Sequence, residues 1–245
     1  MKSLRAAWRL AHALGHAVVG WLTIVLLFPR LDAHQRADRV QAWAARLLRI
    51  LGIALEVRGT PAGQGPMLLV ANHISWLDIP VLHASRYCRF VAKSEVHRWP
   101  LVGSLATGAG TLYVERASRR DAMRVVHRMA ESLQAGDILA IFPEGTTSDG
   151  STLLPFHANL VQAAVSAQAP VQPVSLQFIE RRTGRRSRAA AYIGDDSLVG
   201  SIWATLAGEP VTATVNYGRP QDAQGRDRRA WAADLQAEVD RLRQG

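Results

Sequence analysis

The 245-residue chain predicts an α/β fold: a mixed, mostly parallel central sheet flanked by helices, behind an N-terminal segment that is helical throughout. Three observations predict it. From Leu55 onward, short apolar runs bounded by Gly, Pro and polar residues alternate with helical patterns. The apolar fraction of 48% suffices for a sizeable core and argues against disorder. Residues 1–58 read differently, with nine Lys+Arg against three Asp+Glu around the most apolar stretch of the chain. The predicted division is therefore residues 1–58, apolar and basic amphipathic helices, and residues 59–245, the α/β domain.

The N-terminal part begins with Ala17–Phe28, a continuous apolar run preceded by Lys2, Arg5 and Arg9 and followed by Pro29-Arg30. As a helix it spans about 18 Å, against roughly 30 Å of bilayer core. Extension back to Leu10 adds length but includes His12 and His16. Spanning, dipping into and lying on a membrane all stay open for residues 10–28. A signal peptide competes, though no small-x-small cleavage site follows Phe28. Next, Val40, Trp43, Leu47, Ile50 and Leu51 recur at helical spacing within Arg36–Ile53, among Arg36, Arg39, Arg46 and Arg49. This basic amphipathic helix either packs on the domain or lies in a headgroup layer. The net charge is +9, and 27 of the 29 basic residues are arginine. Because the surplus sits beside the apolar segment, it favours an anionic membrane surface over nucleic acid. No zinc-finger spacing, aromatic RNP-type strand or helix-turn-helix pattern appears.

In the second part, strands are predicted at Met67–Ala71, Arg89–Ala92, Thr111–Val114, Ile138–Phe142, Val171–Ile179, Ala189–Ile193 and Val211–Tyr217. Helices are predicted at Arg119–Gln134, Ala158–Gln168, Leu198–Ala207 and Arg226–Arg243. Ser118 and Asp121 form a capping box for the first of these, which Ala135-Gly136-Asp137 ends. Arg181–Arg188 reads as a hairpin turn whose five arginines are either a solvated tip or a contact for anionic lipid. The single cysteine, Cys88, excludes an intramolecular disulfide and a cysteine-based zinc site, and within its apolar run it reads as a packed thiol.

Three segments carry chemistry. The first strand runs directly into Asn72-His73-Ile74-Ser75-Trp76-Leu77-Asp78. On one continuous helix, His73 and Asp78 would lie some 140° apart around the axis. They converge only if His73 precedes the helix and Asp78 falls in its first turn, and Ser75-x-x-Asp78 is a capping-box pattern that starts a helix there. A carboxylate on one ring nitrogen fixes the tautomer and raises the basicity of the other, which makes His73 a candidate general base for an alcohol. The bland alternative is that Asp78 caps and His73 packs. A Ser-His-Asp hydrolase is a weaker rival, because Ser75 is not in a Gly-x-Ser-x-Gly elbow. Second, Pro143-Glu144-Gly145-Thr146-Thr147-Ser148 follows another strand. Its glycine, hydroxyls and N–H groups suit an oxyanion or phosphate, unless it is a simple turn. Third, Gly110–Arg116 sets Arg116 at a strand end, where it is either a phosphate ligand or a surface charge.

Together these segments resemble the lysophospholipid acyltransferase family, best known for 1-acylglycerol-3-phosphate acyltransferases. Asn72–Asp78 matches the family's His-x-x-x-x-Asp block, Gly110–Arg116 its second, Phe142–Ser148 its third, and Val171-Gln172-Pro173-Val174 its fourth. The order agrees, and the resemblance covers roughly residues 55–220. It implies direct transfer of a fatty acyl group from acyl-CoA or acyl carrier protein to the free hydroxyl of a lysophospholipid. The first candidate acceptor is 1-acyl-sn-glycerol-3-phosphate, giving phosphatidic acid. His73 and Asp78 would be catalytic, and Asn72, Ser75, Arg116, Glu144, Gly145, Thr146 and Thr147 would bind substrate. The resemblance implies no metal and no cofactor, and an active site on the cytoplasmic face of the cytoplasmic membrane. One departure matters: His157 stands where family members carry a lysine or arginine. That favours another acceptor, such as a lyso-ornithine lipid, as the alternative. A non-catalytic lipid-binding membrane protein and a lipid esterase using water are the readings from other classes.

Overall fold

The computed structural model describes the backbone of residues 2–114 and 119–245, and the side chains of all of these except Arg119, Arg120 and Ala122. Arg116 and the Ser118 cap lie outside the described residues. The chain opens with two helices, α1 (Lys2–Leu26) and α2 (Ala33–Leu51). Asp32 starts α2 with a full capping box: its side chain accepts from Gln35 N, and the Gln35 side chain accepts from Asp32 N. Gly52, at φ +77°, ends it in the left-handed conformation that glycine adopts without penalty.

Among the described residues, seven strands form one sheet in the order β1-β7-β6-β2-β5-β3-β4. They are β1 (Ala54–Arg58), β2 (Met67–Ala71), β3 (Arg89–Lys93), β4 (Leu112–Val114), β5 (Ile138–Ile141), β6 (Val171–Glu180) and β7 (Val211–Tyr217). Every neighbouring pair is parallel except β6 with β7. The sheet is thus mixed and mostly parallel, as the alternation of patterns predicts. The remaining helices are α3 (Asp78–Ser85), α4 (Val102–Gly108), α5 (Arg119–Gln134), α6 (Ala158–Ala167), α7 (Leu198–Ala207) and α8 (Arg228–Gln244).

Central strands sort their side chains by period two. In β2, Leu69 and Ala71 join one core with Leu48 of α2, Val81 of α3 and Leu206 of α7. Leu68 and Val70 join the other, with Met129 of α5, Val161 of α6 and Trp231 of α8. Burial on both faces explains why β2 reads as an unbroken apolar run. Cys88 is completely buried in the first core, and burial pushes its thiol pKa up, as befits a packing residue.

Two sequence expectations fail. Ala189–Ile193 is not a strand: after the turn at 181–185 only Arg186 bridges back to Ile179, and Arg188–Ala190 is a short 3-10 segment. Conversely β1 has no counterpart among the predicted strands. It is an edge strand with little burial, paired to β7 alone, and so lacks a strong apolar signal. The sheet therefore begins at Ala54, inside the segment read from sequence as purely helical.

One buried titratable group tests this packing. His83 on α3 lies against the Phe90 ring at 5.0 Å and 82°, and burial lowers its pKa to about 4. As pH falls below the unfolded value of about 6.5, the unfolded chain takes up a proton that the native site refuses until about pH 4. Stability is therefore present above pH 6.5 and is lost towards pH 4, by about 3 kcal/mol. Urea unfolding at pH 7.5 and pH 4.5 should show that loss in the native sequence, and His83→Phe should remove most of it.

Candidate active site

β2 and β5 are adjacent and parallel, so their carboxyl ends deliver Asn72–Asp78 and Phe142–Ser148 to the same edge of the sheet, where α/β proteins gather ligands. Asn72 extends the ladder beyond the end of β2. Its side-chain nitrogen donates to Leu176 O at 3.1 Å and its oxygen accepts from Leu176 N at 2.7 Å. At 1% exposure with both amide atoms engaged, Asn72 braces β6.

His73 precedes the helix and Asp78 opens it. The His73 Nδ1–Asp78 Oδ2 distance is 2.7 Å, and the same oxygen accepts from Ile74 N at 2.7 Å and Ser75 N at 2.9 Å. The carboxylate is wholly buried and sits in the first turn of α3, where the helix dipole favours negative charge. Since Asp78 engages Nδ1, Nε2 is the nitrogen available to an incoming hydroxyl. The ring is stacked on Phe142 at 4.0 Å and 6°, which fixes its plane. The capping box predicted for Ser75 is half formed. Asp78 reaches back to Ser75 N, but α3 starts at Asp78 with Leu77 as its unassisted N-cap. The buried Ser75 Oγ accepts instead from Leu77 N at 3.3 Å, so Ser75 shapes the loop.

The third segment clamps the first. Glu144 is 3% exposed; one carboxylate oxygen accepts from His73 N at 2.7 Å and the other from Leu154 N at 2.8 Å. Burial raises its pKa, against these two hydrogen bonds and the nearby His73 and Arg243. Ser148 N donates to His73 O at 2.9 Å. Both backbone polar groups of His73 are thus held by the 142–148 turn. Glu144, predicted to contact the substrate's polar head, instead holds the imidazole-bearing loop. Gly145 has φ +72°, and a Cβ there would meet His157 Cδ2 at 3.2 Å, so the turn needs glycine and brings His157 over it. Thr146 is exposed and Thr147 half-buried beside it.

Sequence reading missed Arg243. Its guanidinium, with 5% side-chain exposure, donates to Gly150 O and Ser151 O, both at 3.1 Å, and pairs with Asp240 at 3.2 Å. A residue near the end of the last helix thereby fixes the loop that leaves Ser148. No local motif announces such a contact, because 92 residues separate Arg243 from Ser151.

Known proteins resemble this chain in sequence and in fold. The sequence profile of the family described as Acyltransferase matches residues 54–177. The lyso-ornithine lipid O-acyltransferase of Pseudomonas aeruginosa is 40% identical over 228 residues, covering 93% of this chain and 87% of that protein. The 1-acyl-sn-glycerol-3-phosphate acyltransferase of Neisseria meningitidis serogroup B is 38% identical over 179 residues, covering 72% and 69%. The chain belongs to the lysophospholipid acyltransferase family. It is an acyl-transferring enzyme, and the resemblance drawn from the four sequence blocks holds. The crystal structure of a 1-acyl-sn-glycerophosphate (LPA) acyltransferase, PlsC, from Thermotoga maritima matches over 99% of this chain and 98% of its own, with a TM-score of 0.66 at 21% identity. That likeness is one of fold: a mixed, mostly parallel sheet flanked by helices, with an apolar helix at the N-terminus.

Proposed function

We propose that this acyltransferase moves a fatty acyl group from a thioester donor, acyl-CoA or acyl carrier protein, to the free hydroxyl of a lyso-ornithine lipid at an anionic membrane surface. The observation that carries the chemistry is the 2.7 Å contact between His73 and Asp78. His73 Nε2 takes the hydroxyl proton as the oxygen attacks the thioester carbonyl. The carbon–sulfur bond then breaks, and the proton passes from the imidazolium to the departing thiolate. Asp78 stabilises the imidazolium formed on the way. Thr146, Thr147 and the Gly145 backbone line the side from which the acceptor approaches, and Arg116 would add a cation. None of these steps calls on a metal or a cofactor.

Two observations support this acceptor. Among the relatives compared above, the lyso-ornithine lipid enzyme matches over more of both chains. His157 over Gly145 also places an imidazole where a guanidinium or ammonium would suit a phosphate, and a zwitterionic head needs no such fixed charge. The second reading, 1-acyl-sn-glycerol-3-phosphate giving phosphatidic acid, is favoured by the Neisseria relative. Purified enzyme given each lysolipid in vesicles should show kcat/KM about 10-fold higher for lyso-ornithine lipid, a difference within reach of a few head-group contacts. The reverse order selects the second reading.

Membrane association follows from α1, which is long and apolar enough to cross a bilayer, and from relatives named for membrane lipids. We place α1 along the membrane surface instead of through it. It is fixed to the domain by Lys2 on Glu209 at 3.2 Å, by His16 on Trp43 O at 3.0 Å, and by Ile24 against Gly108. Leu4, Trp8, Leu14, Val18 and Val25 remain exposed on it. The bilayer leaflet reached this way is the cytoplasmic one, where the thioester donors are made.

A further inference from the structure

Beyond the N-terminal helices, α7 presents a second apolar surface. Its sequence LVGSIWATLA has no charged side chain, and Val199 is 76% and Trp203 40% exposed. α7 packs directly against α1, which carries exposed Leu4 and Trp8 of its own. Cations gather where the two helices meet. Arg5 donates to Gly208 O at 3.5 Å, Lys2 and Arg182 share Glu209 at 3.2 Å each, and Arg181 donates to Gly52 O at 3.3 Å. Arg9 lies against the same Gly52. Five cations around Glu209, beside two apolar helix faces, complement an anionic bilayer.

The inner side of α7 reaches the active site. The buried Ser201 Oγ accepts from Trp76 Nε1 at 3.2 Å, and Trp76 lies between His73 and Asp78. Tyr192 N, in the segment leading into α7, donates to Ile74 O at 3.0 Å. One short helix thus touches solvent with apolar side chains and meets the His73 loop through Ser201.

We propose that α7 is a membrane-contacting helix that docks on an anionic bilayer through Val199, Trp203 and the neighbouring arginines, and that through Ser201 and Trp76 it ties the His73 loop to the membrane surface. The proposal rests on the membrane reading of α1 and adds a second anchor. The acceptor hydroxyl lies at the headgroup level, and α7 sets the height of the loop above it. The step is one of positioning, and Ser201 itself touches no reacting atom.

Cys88 is buried and its thiol suppressed, so single cysteines introduced on the surface of the full chain can be labelled selectively. An environment-sensitive fluorophore would be placed at Val199→Cys, at Val18→Cys on α1, and at Ala233→Cys on α8, which packs on the opposite sheet face. On vesicles of phosphatidylcholine and phosphatidylglycerol, the labels at 199 and 18 should shift to the blue and be quenched by brominated lipid, while the label at 233 stays aqueous. A label at 199 that stays aqueous while that at 18 enters the bilayer overturns this proposal alone. If both stay aqueous, the membrane reading of α1 falls with it. Val199→Asp should raise KM for vesicle-borne lysolipid by about 10-fold, on the scale of one lost apolar side chain, with turnover of a short-chain, monomeric lysolipid unchanged. Ser201→Ala should slow vesicle turnover several-fold more than turnover of the monomeric acceptor. An equal loss on both acceptors reduces Ser201 to a packing role and overturns the tie.

Discussion

His73→Ala lowers kcat for acyl transfer by about 10²–10⁴-fold, the contribution typical of a positioned general base, with little change in folding stability. The imidazole is a fifth exposed. Its removal uncovers one face of Phe142 but leaves Asp78 still bonded to Ile74 N and Ser75 N. A lipid hydroxyl is a weak nucleophile until its proton is taken, and the other groups around His73 are occupied. Glu144 is committed to two backbone N–H groups and Ser75 is buried. The measurement is transfer of a radiolabelled acyl group to lysolipid, together with the urea midpoint of the same preparation.

Asp78 separates into two effects. Asp78→Ala removes the acceptor for Ile74 N and Ser75 N, and each buried donor left unpaired costs about 1–3 kcal/mol. Both activity and the urea midpoint should fall. Asp78→Asn keeps a side-chain oxygen of the same shape, so the fold survives. What it loses is the negative charge that steadies the imidazolium, since hydrogen bonds to an ionised partner are about twice as strong as neutral ones. We expect a rate loss of about 10²-fold with a nearly native urea midpoint. Because His73 and Asp78 act as one unit, Asp78→Asn in a His73→Ala background should cost little further activity. Independent losses that multiply would contradict the pairing.

The parts of this molecule legible in the sequence are those where local pattern and tertiary role coincide. β2 reads as an apolar run because both of its faces are covered, and Asn72–Asp78 reads as a loop-to-helix transition because helical periodicity alone could not bring His73 and Asp78 together. What sequence obscured falls into two kinds. β1 is a half-exposed edge strand whose register is set by β7, some 158 residues away in sequence (Ala54 opposite Thr212). Asn72, Ser75 and Glu144, read as ligands, also brace the backbone. Their polar atoms look available in a motif and are spent on backbone groups that only the fold supplies: Leu176, Leu77, and the pair His73 and Leu154. Arg243 belongs with them, a buried cation whose purpose is visible only once α8 lies against the 149–151 loop. The same distinction sorts variants: braces should lose stability along with activity, whereas His73 should lose activity alone.

The central claim is that the imidazole hands a lipid oxygen directly to a thioester carbonyl. Mass-spectrometric analysis of one reaction containing the purified enzyme, lysolipid vesicles and an isotopically labelled acyl thioester tests it. The label should appear in diacyl lipid, in step with release of the free thiol, and the intact protein should gain no acyl mass. Label recovered as free fatty acid, or bound to the protein ahead of the lipid, would contradict it.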